Sequence, residues 1–212
     1  LKERERRRAV SEVWGDWAAT LSLCDGSAER DIVGTLHKGG NTKNLLAAVN
    51  LIPREEMAMA FAAFQAAVWN DVLRDILVKF GEPTFKVPGK TGDYLFPVAA
   101  RDSSWGGETA AGISSGLRHL EIPTVARRIL PCPTAVAAAI DAALAKREIT
   151  HSDLNIRGVY NAYLKSFYRR AVVVPQGLSV GEALPDPLYR GRKSMRLAFT
   201  LPKGSYATMF LK

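Results

Sequence analysis

Phe199-Thr200-Leu201-Pro202-Lys203-Gly204-Ser205-Tyr206-Ala207-Thr208 (FTLPKGSYAT) holds a strand end, a turn and a helix start within ten residues. The run over residues 194–201 (SMRLAFTL) reads as a strand, and Pro202, which cannot donate to a sheet ladder, stops it. Ser205 is placed to cap a helix over residues 206–212. Upstream, residues 170–174 (RAVVV) end at Pro175 and read as a companion strand. Between the two runs, Pro185, Pro187 and Gly191 with Arg190, Arg192 and Lys193 read as an exposed basic connector. Basic residues therefore fringe a sheet that feeds a helix.

That fringe dominates the chain's charge. The 212 residues carry a net +8, of which residues 151–212 supply +7, from ten Lys and Arg against Asp153, Glu182 and Asp186. So local an excess points to a polyanionic partner, nucleic acid before membrane, because no amphipathic anchoring stretch accompanies it. With 47% hydrophobic residues the chain can bury a core. Its apolar runs break well before the roughly 18 residues of a membrane span, so a soluble protein is expected. Cys24 and Cys132 make no disulfide or CxxC framework, and His37, His119 and His151 share no ligand spacing. An intracellular, reducing setting without metal or cofactor is the expectation.

The remaining sequence alternates helical and strand textures, giving a mixed α/β (α+β) fold class. Residues 3–21 read as one helix with Trp14 and Trp17 on a common face; Ser27 reads as the cap of a short helix that Gly39-Gly40-Asn41 ends. A long helix starts at Pro53, carries Glu55 and Glu56 in its first turn and stops at Gly81. Met57, Phe61, Phe64, Val68, Val72 and Ile76 form its buried stripe, with Gln65, Trp69 and Asn70 alongside. Asn70, costly to bury alone, is expected to hold a loop or a ligand. Residues 84–87 and 94–98 read as a hairpin, residues 101–116 as a loop, residues 117–122 as a strand, and residues 134–146 as an alanine-rich helix.

Two stretches resemble a known family. FTLPKGSYAT resembles the C-terminal LPxGSYAT signature of TruD-type RNA pseudouridine synthases, and Phe64–Asn70 (FQAAVWN) is similar to their YQSxxWN helix, with Ala66 in place of Ser. Gly92-Asp93 with Leu95, and Tyr168 to Pro175, resemble weaker family features in the same order, so the likeness runs from about residue 28 to residue 212.

The resemblance implies three parts: a helical approach over residues 1–40, an inserted domain over residues 41–165, and returning strands of the catalytic domain over residues 166–212. It also implies isomerisation of a specific uridine, foremost in tRNA with rRNA or mRNA as further substrates, by an aspartate that detaches the base so that it rejoins through carbon. The family's Asp motif and its NYFG stretch are absent from these residues. Thr42-Lys43-Asn44 only echoes the motif, with an amide that cannot act as a nucleophile. The nucleophile and the rest of the catalytic half are therefore expected upstream of Leu1, with this chain a fragment; the alternative is an inactive RNA-binding or ribonucleoprotein-assembly homologue. Phe199 matches the active-site wall, shaped by Gly204 and Ser205. Arg169, Arg170, Arg192, Lys193 and Lys203 are the candidate RNA contacts, and Gln65 and Asn70 the supporting residues.

Overall fold

A computed structural model describes residues 2–39, 41–80, 84–89, 92–97, 115–203, 205, 207 and 211. Four short helices open the chain: α1 (Lys2–Glu12), α2 (Trp17–Ser22), α3 (Ser27–His37) and α4 (Thr42–Val49). The single helix expected over residues 3–21 is thus split. Gly15 adopts φ +106°, a conformation that costs glycine little, and the Asp16 side chain then accepts from the Ala19 N–H at 3.0 Å to start α2. Trp14 and Trp17 meet edge to face across this break, with ring centroids 5.3 Å apart.

Arg6 ties α1 to α3, contacting Glu3 at 2.9 Å and Glu29 at 2.8 Å. Hydrogen bonds from Arg6, then from Arg7, hold the Glu3 carboxyl down from 4.5 to about 2, and Arg6 likewise lowers Glu29. A depressed carboxylate stabilises the fold fully above its unfolded value and loses that contribution as pH falls through the folded one. Acid titration is therefore expected to loosen α1 from α3 as pH falls below the ordinary carboxylate range and Glu29 loses its charge. Tryptophan emission from the Trp14–Trp17 pair reports it, and a flat signal through that titration would contradict the link.

The fold centres on α5 (Arg54–Phe80) packed against α7 (Thr134–Ala145). Val68, Val72, Ile76 and Leu77 of α5 meet Val136, Ile140 and Leu144 of α7 in one core, all nearly or wholly inaccessible. An antiparallel hairpin, β1 (Thr84–Val87) and β2 (Tyr94–Pro97), packs on α5, with Phe85 stacked on its cross-strand partner Phe96. The strand expected over residues 117–122 is instead α6 (Ser115–His119), which buries Leu117, followed by the short β3 (Glu121–Pro123). Of the expected loop at residues 101–116, only 115 and 116 are described, and they belong to α6.

Strand β4 (Tyr168–Arg170) pairs antiparallel with β3, Ile122 opposite Arg169. The run 170–174 is therefore mostly beyond the ladder. After the Ala171 N–H reaches the Leu120 carbonyl at 2.9 Å, Ala171 and Val172 turn onto the core. Their apolar character reports burial, which does not require a strand partner. The expected connector, in turn, contains structure. Strand β5 (Gln176–Val180) pairs with β8 (Leu197–Thr200), and β6 (Leu184–Pro185) with β7 (Lys193–Ser194), making a two-stranded arm. Most arm side chains are exposed. In the helix expected after Ser205 only residues 207 and 211 are described, joined by a 3.1 Å bond from the Leu211 N–H to the Ala207 carbonyl.

Candidate functional site

Gln65 and Trp69 are one helical turn apart on α5, so both side chains leave the same face. The Gln65 amide donates to the carbonyls of Val125 (2.6 Å) and Lys165 (3.1 Å). The Trp69 indole N–H donates to the Ile122 carbonyl at 3.1 Å. Thr124 completes the junction: its hydroxyl donates to Lys165 O at 3.2 Å and accepts from the Phe167 N–H at 3.1 Å. Ser166 Oγ donates to Thr124 O and accepts from the Leu130 N–H. Two segments distant in sequence are thereby knitted to the long helix, placing β4 beside it. The Asn70 side chain, half-buried on α5, has no hydrogen-bond partner among the described residues.

Arg169 lies over the Trp69 ring, its guanidinium carbon 4.7 Å from the centroid. Its half-buried position and this cation–π contact hold it in the junction. Arg170, next along β4, is exposed and opposite Glu121 in the ladder. The α5 junction thus gathers Gln65, Trp69 and Arg169, whereas Arg192 and Lys193 belong to the arm. There the Asp186 carboxylate accepts from the N–H groups of Leu188 and Tyr189, at 2.8 and 3.0 Å, and closes the tip. Gly191 (φ +78°) completes the turn, Arg192 lies 5.9 Å from the Tyr189 ring centroid, and Lys193 is exposed. Phe199 is half-buried in β8, Lys203 is exposed and Ser205 half-buried, with the Ser205 N–H 3.2 Å from Pro202 O; Gly204 is outside the described residues.

Other reactive groups serve the scaffold. Asn44 of the Thr42-Lys43-Asn44 echo donates its side-chain amide to Gly39 O at 3.0 Å, and its N–H is capped by Asn41. Asp71 contacts Arg74 and Arg147. Burial pushes the Cys24 and Cys132 thiols up, disfavouring the nucleophilic thiolate. His151 bridges Ala126 O and the Asp141 carboxylate at 3.0 and 3.1 Å. Among the described residues no three His, Cys, Asp or Glu are placed to hold a metal ion, and no helix is long and apolar enough to cross a membrane. The contact of Arg169 with Trp69 escaped the sequence reading. The Gln65–Trp69 spacing was visible there, but nothing local marked a partner a hundred residues on.

The class of protein is thus a helix-centred, strand-paired α/β fold with a basic arm. The family model described as tRNA pseudouridine synthase D (TruD) matches residues 2–212, and the chain belongs to that family. Among its relatives, tRNA pseudouridine synthase D of Aquifex aeolicus is 27% identical over 214 residues, covering 100% of this chain and 50% of that protein. Its counterpart in Leptospira interrogans is 23% identical over 212 residues, covering 99% of this chain and 50% of the relative. A crystal structure from Methanosarcina mazei titled for TruD superposes with a TM-score of 0.63 at 18% identity, over 98% of this chain and 48% of that one. This chain therefore spans about half the length of these relatives.

Proposed function

We propose that this chain contributes the inserted domain (residues 41–165) and returning catalytic strands (residues 166–212) of an RNA pseudouridine synthase acting on a uridine in tRNA. The observation that carries the reading is the TruD match along residues 2–212, with FTLPKGSYAT at the end of the basic arm. Phe199 forms part of the wall against the target base, and Gly204 and Ser205 shape the turn beside it. Arg170, Arg192, Lys193 and Lys203 hold backbone phosphates; Arg169 assists through Trp69, which its guanidinium covers. Gln65 supports the fold by fastening residues 125 and 165 to the helix. The nucleophilic aspartate belongs to a segment beyond these 212 residues, where an attack on the ribose detaches the base for rotation and rejoining through carbon. Removing that base from its stack costs roughly a few kcal/mol, which phosphate and pocket contacts offset.

The test is to sequence the native transcript upstream of Leu1 and assay its full product on tRNA, detecting pseudouridine by chemical tagging because isomerisation leaves mass unchanged. Pseudouridine that disappears when the upstream Asp becomes Ala is the expected result. RNA bound with no product formed would instead assign the chain to an inactive, RNA-holding homologue.

A further inference from the structure

Residues 154–181 contain Arg157, Lys165, Arg169 and Arg170 and no carboxylate. The same stretch exposes Tyr160 and Tyr163, at 86% and 77%. Among the described residues neither phenol hydroxyl has a hydrogen-bond partner and neither ring a ring partner. Such exposed aromatic surface beside Arg157 and Lys165, both also exposed, contributes nothing visible to the core.

The backbone beneath these rings is nevertheless held. Asn50, at the C-terminal end of α4, donates its amide to the Gly158 carbonyl at 2.8 Å and accepts from the Tyr160 N–H at 2.9 Å. One side chain thus pairs with both sides of the turn, as a neighbouring strand would. Gly158 has φ +82°, and a Cβ there would stand 3.1 Å from Leu46 Cδ1, so the loop lies tight against α4 in a conformation that favours glycine. The loop is fixed while its tyrosines face solvent.

Resting on the reading of this chain as RNA-binding, we propose that Tyr160 and Tyr163 are a stacking platform for unpaired bases of the RNA, flanked by phosphate contacts from Arg157 and Lys165. Among the described residues neither Arg157 nor Lys165 makes an ion pair with a carboxylate, and such positive charge matches a polyanion. Flat exposed rings select nucleotides whose base faces are free, because a duplex keeps those faces stacked. The segment therefore prefers single-stranded RNA next to the modified site.

The full chain is titrated with a fluorescein-labelled single-stranded 12-nucleotide RNA and with the same sequence as a duplex, following anisotropy at low salt. Each of Tyr160→Ala and Tyr163→Ala is expected to weaken single-strand binding roughly 5- to 150-fold, the worth of one stacked base, with much less change for the duplex. Tyr→Phe variants, which keep the ring, should bind as the parent does. Alanine variants that bind the single strand with parental affinity would overturn the proposal, and so would Phe variants as weak as the Ala ones. In both cases salt-dependent RNA binding by the parent chain would leave the broader RNA reading intact. A parent chain that binds neither RNA would overturn both.

Discussion

Replacing Trp69 by Ala is expected to cost about 3–5 kcal/mol of stability, the usual range for a large aromatic removed from a core. Trp69 is 7% exposed, packs with Val68, Val72 and Leu117, donates to Ile122 O, and carries Arg169 on its ring. The substitution removes packing area, a buried hydrogen bond and a cation–π contact together. For a domain of this length the thermal midpoint should fall roughly 6–20 °C. Trp69→Phe separates these contributions: it keeps most of the packing and loses the indole N–H, so about 1 kcal/mol is expected. Under the proposed function, Trp69→Ala also weakens RNA binding by releasing β4, which holds Arg170. A midpoint unchanged in Trp69→Ala, measured by calorimetry, would show that the ring does not fasten β3 to the helix.

The second large effect is expected at Asp71. Its two carboxylate oxygens contact Arg74 Nη1 at 3.0 Å and Arg147 Nη2 at 2.7 Å, with side-chain exposures of 23% for Asp71 and 29% for Arg147. The arginines are also engaged elsewhere: Arg147 donates to Ala143 O at 2.8 Å, and Arg74 to Asp93 O, at the foot of β2, at 2.9 Å. Asp71 thus joins α5, the end of α7 and the β1–β2 hairpin. Removing one member of a fully buried ion pair costs about 3–5 kcal/mol; partial exposure here reduces the expected cost of Asp71→Ala to about 1–3 kcal/mol. The check is a double-mutant cycle with Arg147→Ala in urea unfolding. The double variant should lose at least about 0.5 kcal/mol less than the two single losses combined. Strict additivity would mean the 2.7 Å contact carries no stabilising coupling.

Residue types and spacing alone determined several features. The stripe from Met57 to Ile76 marks α5, because a period near 3.6 and the start at Pro53 are local properties of the chain. Turn formers between two short apolar runs mark the β1–β2 hairpin, and alanines after Pro133 mark α7. The FTLPKGSYAT stretch, with the FQAAVWN helix, pointed to the family whose model matches residues 2–212. For α5, α7 and the two hairpin strands a short window contains the information their structure requires.

Only the tertiary structure decided the rest. That residues 168–170 rather than 170–174 enter a ladder depends on β3, which offers register partners only from Glu121 to Pro123. Strand β5 exists because β8 pairs with it, its own Gln-Gly-Leu-Ser-Val having little strand signature. Gln65 reaches Lys165 and Asn50 reaches Gly158 across 100 and 108 residues, and an amide's chemistry is the same wherever its partner lies. Arg169 and Arg170 are adjacent cations, alike in sequence, yet strand alternation directs them differently: one onto Trp69, the other to solvent. Local periodicity and capping specify the elements; pairing, burial and direction arise when distant segments meet, because only then does each polar group find its partner.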